Sequence, residues 1–235
     1  MTLEELIDGY EPTPAAIDIF RHAKIALLVG ISGAGKDTIK RKLLEEPGFQ
    51  DVVSHTTRQP RSNEGVLETE GVEYHFVSQD TAREMLERGE FVEAKFVHGT
   101  VYGTSIAEVE KASRGTIAVT DVDVQGVSEY KAVSSGVVAI FVVPPSYEVW
   151  VDRLKRRYAT DEEFQAEWPK RRDTAIKELT KALEVPYYHC VINDDLERAV
   201  DATADIAKRP DTFNRKDDEA RLIARDLLRQ IAATI

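Results

Sequence analysis

Residues 30–38 read Gly-Ile-Ser-Gly-Ala-Gly-Lys-Asp-Thr, a spacing able to hold an anion. Glycines let successive backbone N–H groups turn inward around phosphate oxygens, and a helix beginning near Lys36 adds the positive end of its dipole. Gly30, Ile31, Ser32, Gly33, Ala34, Gly35, Lys36, Asp37 and Thr38 are therefore the expected cradle for the phosphates of a nucleotide, with Lys36 as its mobile charge. An apolar run, Lys24–Val29, precedes the glycines and helical composition follows them, which separates this G-x-x-x-x-G-K spacing from an ordinary strand-to-helix turn. Asp37 stands where a Ser or Thr hydroxyl usually helps to hold magnesium. Its carboxylate either ligates the metal itself or only stabilises the helix N-terminus.

The formal charge of -11 repels polyanions, which argues against a nucleic-acid polymer or an acidic membrane surface as partner. An anionic ligand must be held by local cations, and two clusters stand out: Arg58 with Arg61, and Arg153–Arg157 followed by Lys170–Arg172. The histidines His22, His55, His75, His98 and His189 show no metal or triad spacing. Cys190 is the one cysteine, within the apolar run His189–Ile192, and reads as a buried structural thiol. No apolar run approaches the roughly 20 residues of a membrane span. Met1–Tyr10 carries Glu4, Glu5 and Asp8 in place of a basic, apolar leader, so a soluble cytoplasmic protein is the expectation.

The elements that must position these residues follow from pattern. Lys24–Val29, Thr116–Val122 and Val137–Val143 are continuous apolar runs suited to strands buried on both faces. Helical stretches over Ser105–Arg114, Val124–Lys131 and, after Pro144-Pro145, Ser146–Arg157 alternate with them, which predicts an α/β fold with a doubly wound parallel sheet. Residues 52–101 break the rhythm with short β-like pieces and one helix, Gln79–Arg88, N-capped by Ser78: an inserted α+β subdomain. Asp161–Leu183 is helical and charged, and the preceding Arg156–Thr160 has little apolar content, which suggests a mobile helical lid. Tyr188–Ile192 returns to the sheet and Leu196–Ala207 forms a helix. Leu222, Ile223, Leu227, Leu228 and Ile231 mark an amphipathic helix near the C-terminus.

Downstream of the glycine loop, four segments resemble the guanylate kinase family. Ser54-His55-Thr56-Thr57-Arg58-Gln59-Pro60-Arg61 looks like its S-x-T-T-R-x-P-R segment, and Glu73-Tyr74-His75-Phe76-Val77-Ser78 like its D/E-Y-x-F-V-S segment. Asp121-Val122-Asp123-Val124-Gln125-Gly126 and Asn193-Asp194-Asp195-Leu196 complete the order. The resemblance spans about Lys24–Ala207 and implies a P-loop NTPase-type core (24–51 and 106–207), a GMP-binding insert over about 52–105 and a lid over about 155–172. Residues 1–23 and 208–235 are extensions. It further implies transfer of a phosphoryl group from ATP to GMP with Mg2+. Arg58, Arg61, Tyr74 and Tyr102 then hold the acceptor phosphate, and arginine forks with phenol hydroxyls suit a dianion. Glu93, with Ser54 and Thr104, reads guanine. Asp121 orients magnesium or the acceptor, Asp123 supports the acceptor site, Asn193 lies near the donor adenine, and Arg157 and Arg171 close over the transferring group.

The chain departs from the family pattern in three places: Asp37 in the loop, Thr100-Val101 where Asn-Tyr is usual, and Arg156-Arg157-Tyr158-Ala159-Thr160 in the lid, which leaves Arg156 as the alternative to Arg157. Two other functions compete. One is a related kinase for a sugar bisphosphate precursor, which Gly35-Lys36-Asp37 resembles; the other is a non-catalytic guanylate-kinase-like protein-binding domain, whose usual mark is a degraded P-loop.

Overall fold

The computed structural model describes residues 1–63, 66–97, 99–134, 136–211 and 215–234. His98 therefore lies outside the described residues. Helices α1 (Leu3–Asp8) and α2 (Pro14–His22) come first, then β1 (Ile25–Val29), α3 (Lys36–Leu43), β2 (Phe49–Asp51), β3 (His55–Thr56), β4 (Ser62–Asn63), β5 (Val66–Leu67), β6 (His75–Phe76) and α4 (Gln79–Glu87). The chain continues through β7 (Phe91–Val97), β8 (Thr100–Ser105), α5 (Ile106–Ser113), β9 (Ile117–Asp121), α6 (Val124–Val133), β10 (Val137–Val143) and α7 (Tyr147–Lys155). Helix α8 (Asp161–Glu184), β11 (Tyr188–Ile192), α9 (Leu196–Lys208) and α10 (Arg215–Ala232) complete it. Two compact units result: residues 25–49, 119–128 and 137–235 in one, and residues 1–24, 50–118 and 129–136 in the other.

The first unit is built on the mostly parallel sheet, ordered β11-β10-β1-β9-β2 among the described residues. β1 pairs in parallel with β10, Ile25 opposite Val137, and β10 with β11, Ala139 opposite Tyr188. Every residue of β1 is buried, as a parallel strand covered by helices on both faces requires. Helix α7 is capped by the Ser146 hydroxyl, which accepts from the Val149 N–H, and buries Trp150 and Leu154. α8 runs unbroken through Pro169, although a proline there removes one ladder hydrogen bond. Cys190 is buried in β11, where desolvation pushes its thiol up to about 12.

Helix α10 corrects one expectation. It packs on α8, β11 and α7, but through Ala220, Ala224, Leu227 and Ile231, while Leu222 is 61% exposed. Alanines let the helix approach closely, so the buried stripe is set partly by small residues that hydrophobicity alone ranks low.

In the second unit, β6, β3, β8 and β7 form a mixed sheet in that order. The N-terminal segment forms two capped helices. Thr2 and Glu5 make a capping box on α1, and the Thr13 hydroxyl accepts from the Ala16 N–H at the start of α2. Leu3 joins Ala82, Met85, Leu86, Phe91 and Val101 in one apolar cluster. Tyr10 ties the segment to β7, its hydroxyl donating to the Phe91 carbonyl (2.6 Å) and accepting from the Phe91 N–H (3.0 Å). The departure at Val101 is explained here: the residue is a core side chain beneath α1, a place that a tyrosine would overfill.

Leu227→Ala should cost about 2–5 kcal/mol in urea-induced unfolding, whereas Leu222→Ala should stay within about 0.5 kcal/mol of the parent. Equal effects would show that the buried face of α10 is misassigned.

Candidate functional site

The glycine loop leaves the sheet at Gly30, whose φ of 142° is open to glycine and whose Cβ, were there one, would lie 2.5 Å from the Val142 carbonyl oxygen. Gly35, at φ 96°, turns the chain into α3 where a side chain would overlap the Asn193 amide. The loop carbonyls are claimed from outside. Trp150 Nε1 donates to the Ser32 oxygen (2.8 Å), and the Ala34 oxygen accepts from Asn193 Nδ2 (2.8 Å) and Arg153 (3.3 Å). With these negative ends held away, the left-handed turns at Gly33 and Gly35 and the start of α3 favour an anion in the loop. Ile31 and Ala34 are fully buried and contribute backbone only.

A polar cavity of about 230 Å³ opens on this loop, lined by Ser32, Lys36, Asp37, Arg157, Arg171 and Glu178 among others. Lys36 Nζ donates to the Gly30 carbonyl at 2.5 Å, and Arg157 donates to the Ser32 hydroxyl at 3.0 Å. Arg171 Nε donates to the Tyr158 hydroxyl at 2.9 Å. Tyr158 packs edge-on against Phe164, which stacks on Trp168 and through it on Trp150. These rings are the apolar anchor that Arg156–Thr160 lacks in sequence, and Phe164 is 3% exposed. Asn193 is engaged with the loop and accepts from Arg153 at its own carbonyl.

Asp37 is exposed at the cavity. No group of three His, Cys, Asp or Glu donors that could hold a metal occurs among the described residues. A magnesium ion carried by nucleotide phosphates needs only one or two carboxylates, its remaining ligands being phosphate and water oxygens, so a lone Asp37 fits it. Asp121 accepts from Lys40 at 3.3 Å, and Asp123 accepts from the Gly126 N–H at 2.6 Å, which caps α6.

The second unit holds the other candidates. Thr104 donates to Glu93 Oε1 (2.7 Å) and lies 3.2 Å from the Ser54 hydroxyl. Burial pushes the Glu93 carboxyl above the usual range, with Thr104 and Lys95 opposing that shift. Arg58 lies over the Tyr74 ring, whose neighbour at 6.0 Å is Tyr102. Its fork is engaged by Glu68 at 2.6 and 3.1 Å, and the same carboxylate accepts from the Arg61 N–H at 2.7 Å. Arg58 holds the Glu68 carboxyl below the usual range. His55 and His75 stack at 4.7 Å, a pairing their sequence spacing conceals.

Sequence reasoning passed over Glu68, Glu178 and Tyr158. The first follows the motif by several residues, and the others are single residues on or before a charged helix, with meaning only once the helix faces the loop. Glu178 Oε2 is buried without a hydrogen-bond partner, and desolvation raises its carboxyl to about 7, opposed by Lys36 and reinforced by Asp123. Between about pH 4.5 and 7 the unfolded chain has released this proton while the folded chain retains it, so stability falls as pH rises through that window. Glu178→Gln should therefore raise stability at pH 8 by up to about 3 kcal/mol, with the gain vanishing towards pH 4.5. Urea titrations at both pH values check it; a gain equal at both would separate Glu178 from the effect.

A family model described as guanylate kinase matches residues 22–209. The guanylate kinase of Geobacter metallireducens is 35% identical over 197 residues, covering 82% of this chain and 93% of that protein. The guanylate kinase of Sus scrofa is 38% identical, covering 74% and 86%. Guanylate kinase 1 of Oryza sativa is 40% identical, and there this chain spans 45% of the relative's length. The crystal structure of guanylate kinase from Anaplasma phagocytophilum superposes with a TM-score of 0.57 at 26% identity, covering 82% of this chain and 88% of that one. With a family model over most of its length and relatives matched almost end to end, the chain belongs to the guanylate kinase family.

Proposed function

We propose that the chain transfers the terminal phosphoryl group of ATP to GMP, giving ADP and GDP. The observation that carries this reading is the carboxylate of Glu93 braced by Thr104 and Ser54, in a chain that also has a lysine-bearing phosphate loop. Guanine offers N1–H and a 2-amino group, both donors, to such a carboxylate. Adenine has neither, and a buried carboxylate left without donors is costly. Cytoplasmic operation belongs to the same proposal; separately, no helix among the described residues is long and apolar enough to cross a membrane.

The nucleophile is a phosphate oxygen of GMP, ionised near neutral pH because the second pKa of a phosphomonoester is about 6. No side chain has to remove a proton. The oxygen forms a bond to the γ-phosphorus as the bond from that phosphorus to the β,γ-bridging oxygen breaks, and ADP leaves with the electron pair. Arg58, Arg61, Tyr74 and Tyr102 hold the acceptor phosphate, with Glu68 orienting the Arg58 fork. Lys36, Arg157 and Arg171 place positive charge around the transferring group, and the loop N–H groups hold the donor phosphates, so catalysis comes from alignment and electrostatics. Magnesium, when bound through Asp37, neutralises charge on the ATP phosphates. Asp121 and Asp123 support the acceptor side, Asn193 braces the loop beside the donor nucleotide, and Thr38 adds a hydroxyl at the start of α3.

A coupled ADP-release assay with GMP, AMP, CMP and UMP should show turnover with GMP alone, and Glu93→Gln should raise the KM for GMP while leaving that for ATP in place. Equal use of AMP by the parent chain would defeat the reading. Lys36→Ala should lower kcat by about 10²- to 10³-fold; an unchanged kcat would remove it from the catalytic set.

A further inference from the structure

Arg58 has an aromatic floor as well as a carboxylate partner. Its guanidinium carbon lies 5.1 Å from the centroid of the Tyr74 ring and 5.8 Å from that of Phe76, and the two rings are 6.0 Å apart. A guanidinium over ring faces is attracted by their quadrupoles, so this floor fixes where the fork stands. Tyr74 and Phe76 share one face because alternate side chains of a strand do, and His75 between them projects from the other. The backbone holds this segment weakly. β6 is the edge of the mixed sheet and two residues long, with the His75 N–H donating to the Ser54 carbonyl and the Val77 N–H to that of Thr56, both at 2.9 Å. A strand this short falls below the usual length and needs support from side chains.

That support lies on the far face, at positions that the family segments S-x-T-T-R-x-P-R and D/E-Y-x-F-V-S leave open. The His75 ring stacks on His55, its Nδ1 stands 2.9 Å from Glu70 Oε1, and its Nε2 stands 3.5 Å from Glu108 Oε1. Glu70 also accepts from the Phe76 N–H (2.7 Å), and Glu108 accepts from the Val53 N–H (3.3 Å) and from Lys111 (3.1 Å). Burial pushes the His55 imidazole down to about 4, reinforced by His75 and opposed by Glu108 and Glu70, so His55 is the neutral partner in the stack. A ring with a proton on each nitrogen serves both carboxylates. One nitrogen of His75 thus ties β6 to the turn before it, and the other ties it to α5 and to the segment that leads into β3. We infer that His75 is a positioning residue for the acceptor-phosphate site: from the opposite face of the sheet it fixes the strand whose rings seat Arg58.

That role rests on the proposed phosphoryl transfer to GMP, and one set of steady-state measurements tells the two apart. His75→Phe, which keeps a ring for the stack and removes both nitrogens, should raise the KM for GMP by about three- to tenfold, the worth of one hydrogen bond, with the KM for ATP unchanged. Glu70→Gln, at an exposed carboxylate, keeps an acceptor for the Phe76 N–H and should raise the KM for GMP by about two- to threefold. In an Arg58→Lys background, which removes the fork, His75→Phe should shift the KM for GMP by less than about twofold, since side chains that act through one another are not additive. A general loosening of the fold would instead show its full effect there. A parent chain that does not phosphorylate GMP defeats the kinase reading itself. With a GMP-active parent, a KM for GMP unmoved by His75→Phe, an equal rise in the KM for ATP, or an undiminished effect in the Arg58→Lys background overturns the role of His75 alone. Should His75→Phe not fold, a KM for GMP unmoved by Glu70→Gln overturns it equally.

Discussion

A glycine loop of this kind can hold an anion only if its own carbonyl oxygens are kept away from it. Trp150, Asn193 and Arg153 meet that constraint by binding the carbonyls of Ser32 and Ala34 from behind. Each of these side chains comes from a different part of the chain than the loop, and each is positioned by the sheet: Trp150 and Arg153 by α7 after β10, Asn193 at the end of β11. The glycines permit the path, but the ring of outside donors selects it. Trp150 and Leu154, both fully buried, therefore lie directly against Gly33 of a loop that opens on a polar cavity.

Charge is managed by the same means in both units. A chain of net charge -11 offers an anion no general positive field, and several of its cations instead have defined partners. Glu68 sets the plane of the Arg58 fork, Tyr158 receives Arg171, and Ser32 receives Arg157. Glu178 is the exception, a carboxyl held near the loop lysine at the expense of stability. A destabilised group of this kind is common where a site is shaped for a ligand and not for the empty protein.

The N-terminal helices show how a segment that lies almost wholly outside the matched family region packs towards Glu93 and Thr104. Leu3 and Tyr10 secure β7 from one side, Phe20 secures Tyr130, and both routes end at the hydrogen bonds around Glu93 and Thr104. A small change in apolar packing there acts on polar geometry because the Thr104 hydroxyl is buried and Tyr130, one of its partners, is seated by those rings.

Much of the parallel sheet was legible from sequence, because strands buried on both faces must be continuously apolar, and β10 and β11 span the runs read from composition. The path of the glycine loop was legible for a similar reason: only glycine tolerates Gly30 and Gly35 as they stand, so the requirement is written in residue type. The stripe of α10 was misread at Leu222, since hydrophobicity does not say which of several adjacent leucines faces a neighbour and small alanines fill the contact. The anchoring rings at Tyr158, the Glu68 brace and the stacked His55–His75 pair depended on residues distant in sequence or out of motif register. Local chemistry is carried by residue identity and short spacing, and so it survives in the linear chain; the depth of a carboxyl and the partner of a guanidinium are set by which segments meet, and only folding decides that.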